Sequence, residues 1–474
     1  MSALLDFRFG FLCYRKEASE PSGVDDTWTA VRQSWAEHRI GEFVLWIHPS
    51  LTIMRRSSKR QEIVVLGDAF SFNHRPLAAV ADDLQRDDPW PVLDELGGRF
   101  AVLVISGDRC RVAHDAFGSR SVFYVAGEGF AVASHTALLA HAYNFGRSKT
   151  IAKYMQKPEF RRRTVKYLPG DRTIYDQIYA LAPNNYLDSR DNQTHRYWPV
   201  SELRRIGIDD FYREVDRYFA AFVPFVVSRY LPIFGITGGV DSRAVFAAFR
   251  RYGVRFRGLT WHASNLGPEE RPVIDEIVLR LGLDHVYIDP KEYPSSEIGV
   301  YAGRASGNFR GDSALSEALA AIFGGLPSAA FVRGYGGEIM RGFYNLRARP
   351  IQDFRAESLV HAYGSSLRRT RPSDEYKTSC ASTFDEFRKR ANYAGLEDFG
   401  YDPNDIFYWE HRMGMWGSAK LNEMDPALYS LVGFNSRPLF AASFGLAAEQ
   451  RLSKDLLKGL VRRNDDVLAS IPYA

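Results

Sequence analysis

Leu231-Pro-Ile-Phe-Gly-Ile-Thr-Gly-Gly-Val-Asp-Ser-Arg-Ala-Val-Phe-Ala-Ala-Phe249 decides how this chain is read. The apolar run Ile233 to Ile236 is too short for a helix and suits a buried parallel strand. Thr237-Gly238-Gly239 then breaks the run, and its two glycines allow a tight turn with unobstructed N–H groups. Beyond it Val240, Ala244, Val245, Ala248 and Phe249 recur at helical spacing, with Arg250 and Arg251 near the end. Strand, glycine-rich turn and helix together make an anion cradle, because helix N-terminal N–H groups and the helix dipole both favour a phosphate. Asp241 adds a carboxylate suited to Mg²⁺, and Thr237 and Ser242 add hydroxyls that can bond phosphate oxygens. No lysine follows the glycines, so this is not the Gly-x-x-x-x-Gly-Lys loop. The plainer alternative is an ordinary strand-to-helix turn.

Outward from this stretch, Ile208 to Ser228 reads as a helix, Val254 to His262 as a strand, Gly267 to Leu281 as a helix, and His285 to Asp289 and Ala329 to Val332 as strands. That alternation predicts a doubly wound parallel sheet with ligands beyond the carboxyl ends of its strands, where Thr237–Ser242 and Leu259–His262 both fall. His262 and His285 lack ligand-spaced partners and are read as structural. The first two hundred residues read differently. Ile40 to His48, Gln61 to Leu66, Leu96 to Ile105 and Arg109 to Asp115 are short strand patterns, followed by two more up to Ser134. Leu66 to Phe70 reads as a turn, Pro76 to Asp83 as a short helix and Ser106-Gly107-Asp108 as a hairpin turn. This predicts an antiparallel sheet domain.

The 474 residues set a prior of two or three domains, and 45% apolar with 14% aromatic residues is enough for large cores. A net charge of +4 neither requires nor excludes nucleic acid. Cys13, Cys110 and Cys380 form neither zinc spacing nor a disulfide framework, which fits a reducing compartment. Asp6 and Arg8 sit where a signal peptide would be apolar, and the run Tyr218 to Val227, interrupted by Pro224, is too short to span a bilayer. A cytoplasmic protein without membrane contact is expected.

Thr237-Gly-Gly-x-Asp-Ser242 resembles the Ser-Gly-Gly-x-Asp-Ser signature of the PP-loop ATP pyrophosphatases, with Thr keeping the hydroxyl. Gly97-Gly-Arg-Phe-Ala101, Asp115-x-x-Gly118-x-Arg120-x-x-Phe-Tyr124 and Ala133-Ser134 resemble the N-terminal glutaminase domain of the asparagine synthetase family, an Ntn-type αββα sandwich. Its N-terminal cysteine nucleophile is missing from Met1-Ser2-Ala3, and its Asn-Gly-Glu segment is replaced by Leu66-Gly67-Asp68. Cys13 is internal and lacks an α-amine base, and a Ser2 hydroxyl activates less readily than a thiol. The resemblance therefore implies a sandwich without glutaminase chemistry. Val332-Arg-Gly-Tyr-Gly-Gly-Glu-Ile-Met-Arg-Gly-Phe-Tyr344 is similar to the family's second motif, with Glu338 at the acid that helps carry Mg²⁺-pyrophosphate. Tyr335 stands where asparagine synthetases have Glu and where β-lactam and carbapenam synthetases have a Tyr that helps deprotonate an amine. Glu375, Asp385 and Glu386 are candidates for its acidic partner; packing or ribose stacking is its other reading. Arg412-Met413-x-Met415, in a stretch that reads first as a helix packed on the sheet, and Asn435-Ser-Arg-Pro438 resemble further segments of the family. Lys454 to Arg462 resembles the closing Lys-x-x-Leu-Arg segment, with Val461 for Leu, which implies a catalytic lysine at Lys458 and an arginine at Arg462, with Lys454 a contender; an amphipathic basic helix is the other reading. The basic run Glu159 to Lys166 reads first as a solvated face, with anion contact as the alternative.

The expected architecture is α/β: a degenerate Ntn-type αββα sandwich over 1–205, then a PP-loop doubly wound synthetase domain over 206–474. The expected function is an ATP- and Mg²⁺-dependent ligase that adenylates a carboxylate and passes the acyl group to an amine, intramolecularly if both share one molecule. Catalytic candidates are Tyr335, Lys458 and Glu338; ATP-binding candidates are Thr237, Gly238, Gly239, Asp241, Ser242, Leu259, Thr260, Gly334 and Arg462; metal candidates are Asp241 and Glu338. The partners are small-molecule or peptide acids and amines, with room for a homodimer and no nucleic acid expected. Free ammonia as the amine, and a nucleotide-binding scaffold without activity, stand as rivals.

Overall fold

The computed structural model describes residues 5–16, 19–127, 129–261, 266–307, 313–326, 328–346, 350–367 and 372–474. Ser2 and His262 lie outside the described residues. Two six-stranded antiparallel sheets form the first part. One holds Phe11–Arg15, Ala36–Ile40, Phe43–Ile47, Phe123–Val125, Ala131–Ala133 and Ile178–Ala180. The other holds Ile53–Ser57, Glu62–Ser71, Leu96–Ser106, Arg109–His114, Asn185–Asp188 and Gln193–Arg196. Strand periodicity of two sorts their side chains. Phe11, Cys13, Leu45, Val64, Leu66 and Leu103 fill the core between the sheets. Leu12, Tyr14, Ile63 and Val65 point outward into a second core, shared with the helices.

Several expected boundaries move. Ile40 to His48 is not one strand: Ala36–Ile40 and Phe43–Ile47 pair as a hairpin around Gly41. The expected turn at Leu66 to Phe70 is a continuation of Glu62–Ser71, paired with Leu96–Ser106 throughout. Gly67 and Gly98, at φ of 106° and 116°, absorb the local kinks without ending the ladder. The basic run Glu159 to Lys166 divides: Arg161, Arg162 and Thr164 are exposed, as a solvated face requires, whereas Arg163 turns inward. Arg163 is buried, lies 3.4 Å from the Tyr363 ring centroid and donates to Tyr363 O at 2.7 Å.

The second part is built on five parallel strands: β1 (Leu231–Gly235), β2 (Arg257–Trp261), β3 (Asp284–Ile288), β4 (Ala329–Arg333) and β5 (Tyr429–Val432). Their order is β3-β2-β1-β4-β5, so the winding reverses between β1 and β4. The helices of this part include α1 (Ile208–Val227), α2 (Val240–Arg251), α3 (Glu270–Leu281), α4 (Asp374–Arg390) and α5 (Asp455–Asn464). Helix α1 lays Phe222 and Phe225 against Phe70 of the antiparallel sheet, at 5.5 and 5.0 Å between ring centroids. No helix among the described residues is long and apolar enough to cross a membrane.

Residues that sequence reading placed in glutaminase-like motifs wire the two parts together. Arg99, fully buried, donates to both Asp425 oxygens at 2.6 and 2.7 Å and to Asn422 Oδ1 at 2.9 Å. Asp115 accepts from the backbone N–H of Ser119 and Arg120 and from Asn435 Nδ2. Outside those motifs, Arg196 forms a further bidentate pair across the two parts with buried Glu410, both bonds at 2.7 Å.

Candidate functional site

The carboxyl ends of β1 and β4 open into a cavity of about 360 Å³, lined by residues that include Thr237, Gly239, Asp241, Ser242, Arg333, Gly334, Tyr335 and Glu338. It sits where the strand order reverses, the place in an open parallel sheet where two loops diverge and leave a crevice. At its β1 end, Gly239 is the N-cap of α2 and supplies no capping side chain. The first N–H groups of a twelve-residue helix are thus left for a ligand. Thr237 Oγ1 lies 2.8 Å from Ser242 Oγ, and Gly239 N donates to Thr237 Oγ1 at 3.3 Å, so the hydroxyls tie the two ends of the turn together.

The β4 loop packs tightly on this turn, and two glycines make that contact feasible. A Cβ on Gly334 would stand 2.6 Å from Ser242 N, and one on Gly337 would stand 2.7 Å from Asp241 Oδ1. The loop thereby brings Glu338 beside Asp241. Glu338 Oε2 is shielded and has no hydrogen-bond partner among the described residues. Burial, then the Asp241 carboxylate, push the Glu338 pKa up to about 7, against the pull of Arg341 and Arg412. Two adjacent carboxylates with an orphaned oxygen fit a divalent cation, which relieves both the repulsion and the missing bond. Arg341 holds Asp241 from Nε at 3.0 Å and Nη2 at 3.1 Å.

The opposite wall is aromatic and cationic. The Arg333 guanidinium lies 4.4 Å from the Tyr335 ring centroid, 5.3 Å from Phe331 and 5.9 Å from Trp261. No hydrogen bond or ion pair joins its side chain to a described residue; its contacts there are with these ring faces. Tyr335 stacks on Phe117 of the antiparallel part at 6.0 Å and 10°, and faces Trp416 at 6.0 Å. Trp416 comes from a π-helix, Tyr408–Gly417, and Lys420 from the helix that continues it. Lys420 Nζ also pairs with Glu423 at 2.7 Å.

The expected site residues therefore divide. Thr237, Gly239, Asp241, Ser242, Gly334, Tyr335 and Glu338 converge on the cavity. Gly238 faces away, its carbonyl accepting from Ala474 N at 3.1 Å. Leu259 is core, and Thr260 ties β2 to β1 by donating to Ile236 O at 2.7 Å. His285 is engaged with that same hydroxyl at 3.0 Å. Lys458 and Arg462 lie on α5, outside the cavity wall; Lys458 pairs with Asp455 at 3.3 Å, 5.5 Å from the Tyr473 ring centroid. The three acids considered for Tyr335 are committed elsewhere on α4: Glu375 to Lys157, Asp385 to Arg388 and Lys389, and Glu386 to Arg172. Sequence reading missed Arg333, Arg341, Trp416 and Lys420. Only Arg333 carried a local signal, a charge at the end of a buried strand just before a glycine turn.

No protein-family model matches this chain, and no curated protein matches it. Among solved structures, NMN synthetase from Francisella tularensis is similar at 9% identity, covering 44% of this chain and 94% of its own, with a TM-score of 0.22. Glutamine phosphoribosylpyrophosphate amidotransferase from B. subtilis, complexed with ADP and GMP, is similar at 12% identity, covering 86% and 92%, with a TM-score of 0.23. Likeness at that level is too low to support a shared function.

Proposed function

We propose that this chain is an ATP-dependent, AMP-forming carbon–nitrogen ligase. The observation that carries the reading is one juxtaposition: an uncapped helix start after a diglycine turn, with Asp241 in its first turn and Glu338 brought beside it by the β4 loop, at the crevice where the sheet reverses. The N–H groups of α2 and the hydroxyls of Thr237 and Ser242 bind the phosphates of the co-substrate ATP. Asp241 and Glu338 would hold Mg²⁺, which supplies neutralisation of phosphate charge. Arg333 orients a substrate carboxylate, caged against Trp261, Phe331 and Tyr335 so that its fork stays in place. That carboxylate attacks the α-phosphorus and pyrophosphate leaves; an amine then attacks the acyl carbon of the acyl-AMP, the C–O bond to the phosphate breaks, and amide and AMP are released. Tyr335, at the same wall, accepts the amine proton.

The test is pyrophosphate release over a library of acids, with and without amines, read together with the amide by mass spectrometry. Acid-dependent release that disappears in Asp241→Asn supports the reading. Glutamate released from glutamine would overturn the loss of glutaminase chemistry. The bidentate hold of Arg341 on Asp241 favours a second reading, a nucleotide-binding scaffold without turnover. Nucleotide binding with no pyrophosphate release for any acid would select it.

A further inference from the structure

We infer that Arg341 makes cation binding at Asp241 and Glu338 conditional on the phosphates of the nucleotide. The inference rests on reading those two acids as the divalent-cation pair. Its basis is a charge count at the site. Both Asp241 oxygens accept from Arg341, at 3.0 and 3.1 Å. Arg412 is the second cation that acts on Glu338, its guanidinium held over Phe343 at 5.0 Å and Trp416 at 5.6 Å. Tyr408 is packed there too, and Arg333, Tyr335 and Lys420 line the same cavity, adding no negative group. Two arginines against two carboxylates leave no net negative charge, even with both acids ionised. A hard divalent cation draws its affinity from anionic oxygens, and the number of such charges tunes that affinity. The bare site is therefore a poor cation site, and a triphosphate completes it. Arg341 has a second consequence: its fork fixes the Asp241 carboxylate in one orientation before any ligand arrives.

The test is a titration of the full chain with Mn²⁺, followed by electron paramagnetic resonance of free Mn²⁺, with and without a β,γ-imido analogue of ATP. The wild type should bind Mn²⁺ alone at least about tenfold more weakly than in the presence of the analogue. Arg341→Met should tighten binding of Mn²⁺ alone by about tenfold, and Arg341→Lys, which keeps the charge, should stay within about threefold of wild type. Equal affinity of the wild type for Mn²⁺ with and without the analogue, once the Mn²⁺ that the analogue chelates in a protein-free control is subtracted, overturns the inference, and that arm needs no variant to fold. So does an Arg341→Met protein that binds Mn²⁺ no more tightly than wild type. A scaffold that never releases pyrophosphate yet shows the expected Mn²⁺ pattern would sink the ligase reading and leave this one standing.

Discussion

At Glu338 the site states its own pH dependence. Burial and Asp241 raise the carboxyl from 4.5 to about 7, so the native state holds a proton that the unfolded chain has released. The stabilising effect of that proton is present below pH 4.5 and is lost as pH rises through about 7. Glu338→Gln, neutral at every pH, should therefore be more stable than wild type at pH 8 by about 1–3 kcal/mol, with the gap closing as pH falls. Thermal unfolding of both proteins across that range checks it; a gap that widens on acidification contradicts it. Tyr335 makes a separate claim. Tyr335→Phe removes one hydroxyl but keeps the stack on Phe117. It should release pyrophosphate at near wild-type rate while amide formation falls about 100-fold or more. Equal amide yield would return Tyr335 to a packing role.

Among the elements, the strand–turn–helix at Leu231 to Arg251 was legible because every signal in it is local: a short apolar run, two glycines, helical spacing. Gly334 marks the point where a second element must fit against the first. Gly334→Ala would push a methyl group to 2.6 Å from Ser242 N. It should cost about 1–3 kcal/mol and weaken nucleotide binding, read by calorimetry, whereas the exposed Gly107→Ala should leave binding unchanged. Leu66 to Phe70 was misread as a turn because Gly67 and Asp68 favour turns locally, while the full-length ladder to Leu96–Ser106 is a tertiary fact. Trp416 and Lys420 were illegible for a related reason. The π-helix that delivers Trp416 and leads into Lys420 has no sequence signature, and its register decides which residues meet the cavity. Arg341 reads as a surface charge until the β4 loop brings it to Asp241 across a hundred residues.

Across the whole molecule, buried polar residues of the antiparallel part fasten it to the part built on the parallel sheet. Arg99 is the central one, sealed with Asp425 and Asn422 at 0–1% exposure. Arg99→Ala strands a buried carboxylate and should destabilise the chain by about 3–5 kcal/mol; the Arg99→Ala/Asp425→Ala pair should recover part of that loss, measured by thermal unfolding. Phe117 reaches from the same part to stack on Tyr335, so loosening the interface should also blunt amide formation. The central claim concerns the turn at Gly239, which should present the α-phosphorus of ATP to an acid. The most direct measurement follows oxygen-18 from the carboxylate of the most active acid in the library. The account predicts label in AMP, one oxygen per turnover, and none in pyrophosphate. Label appearing in inorganic phosphate alongside ADP would contradict it.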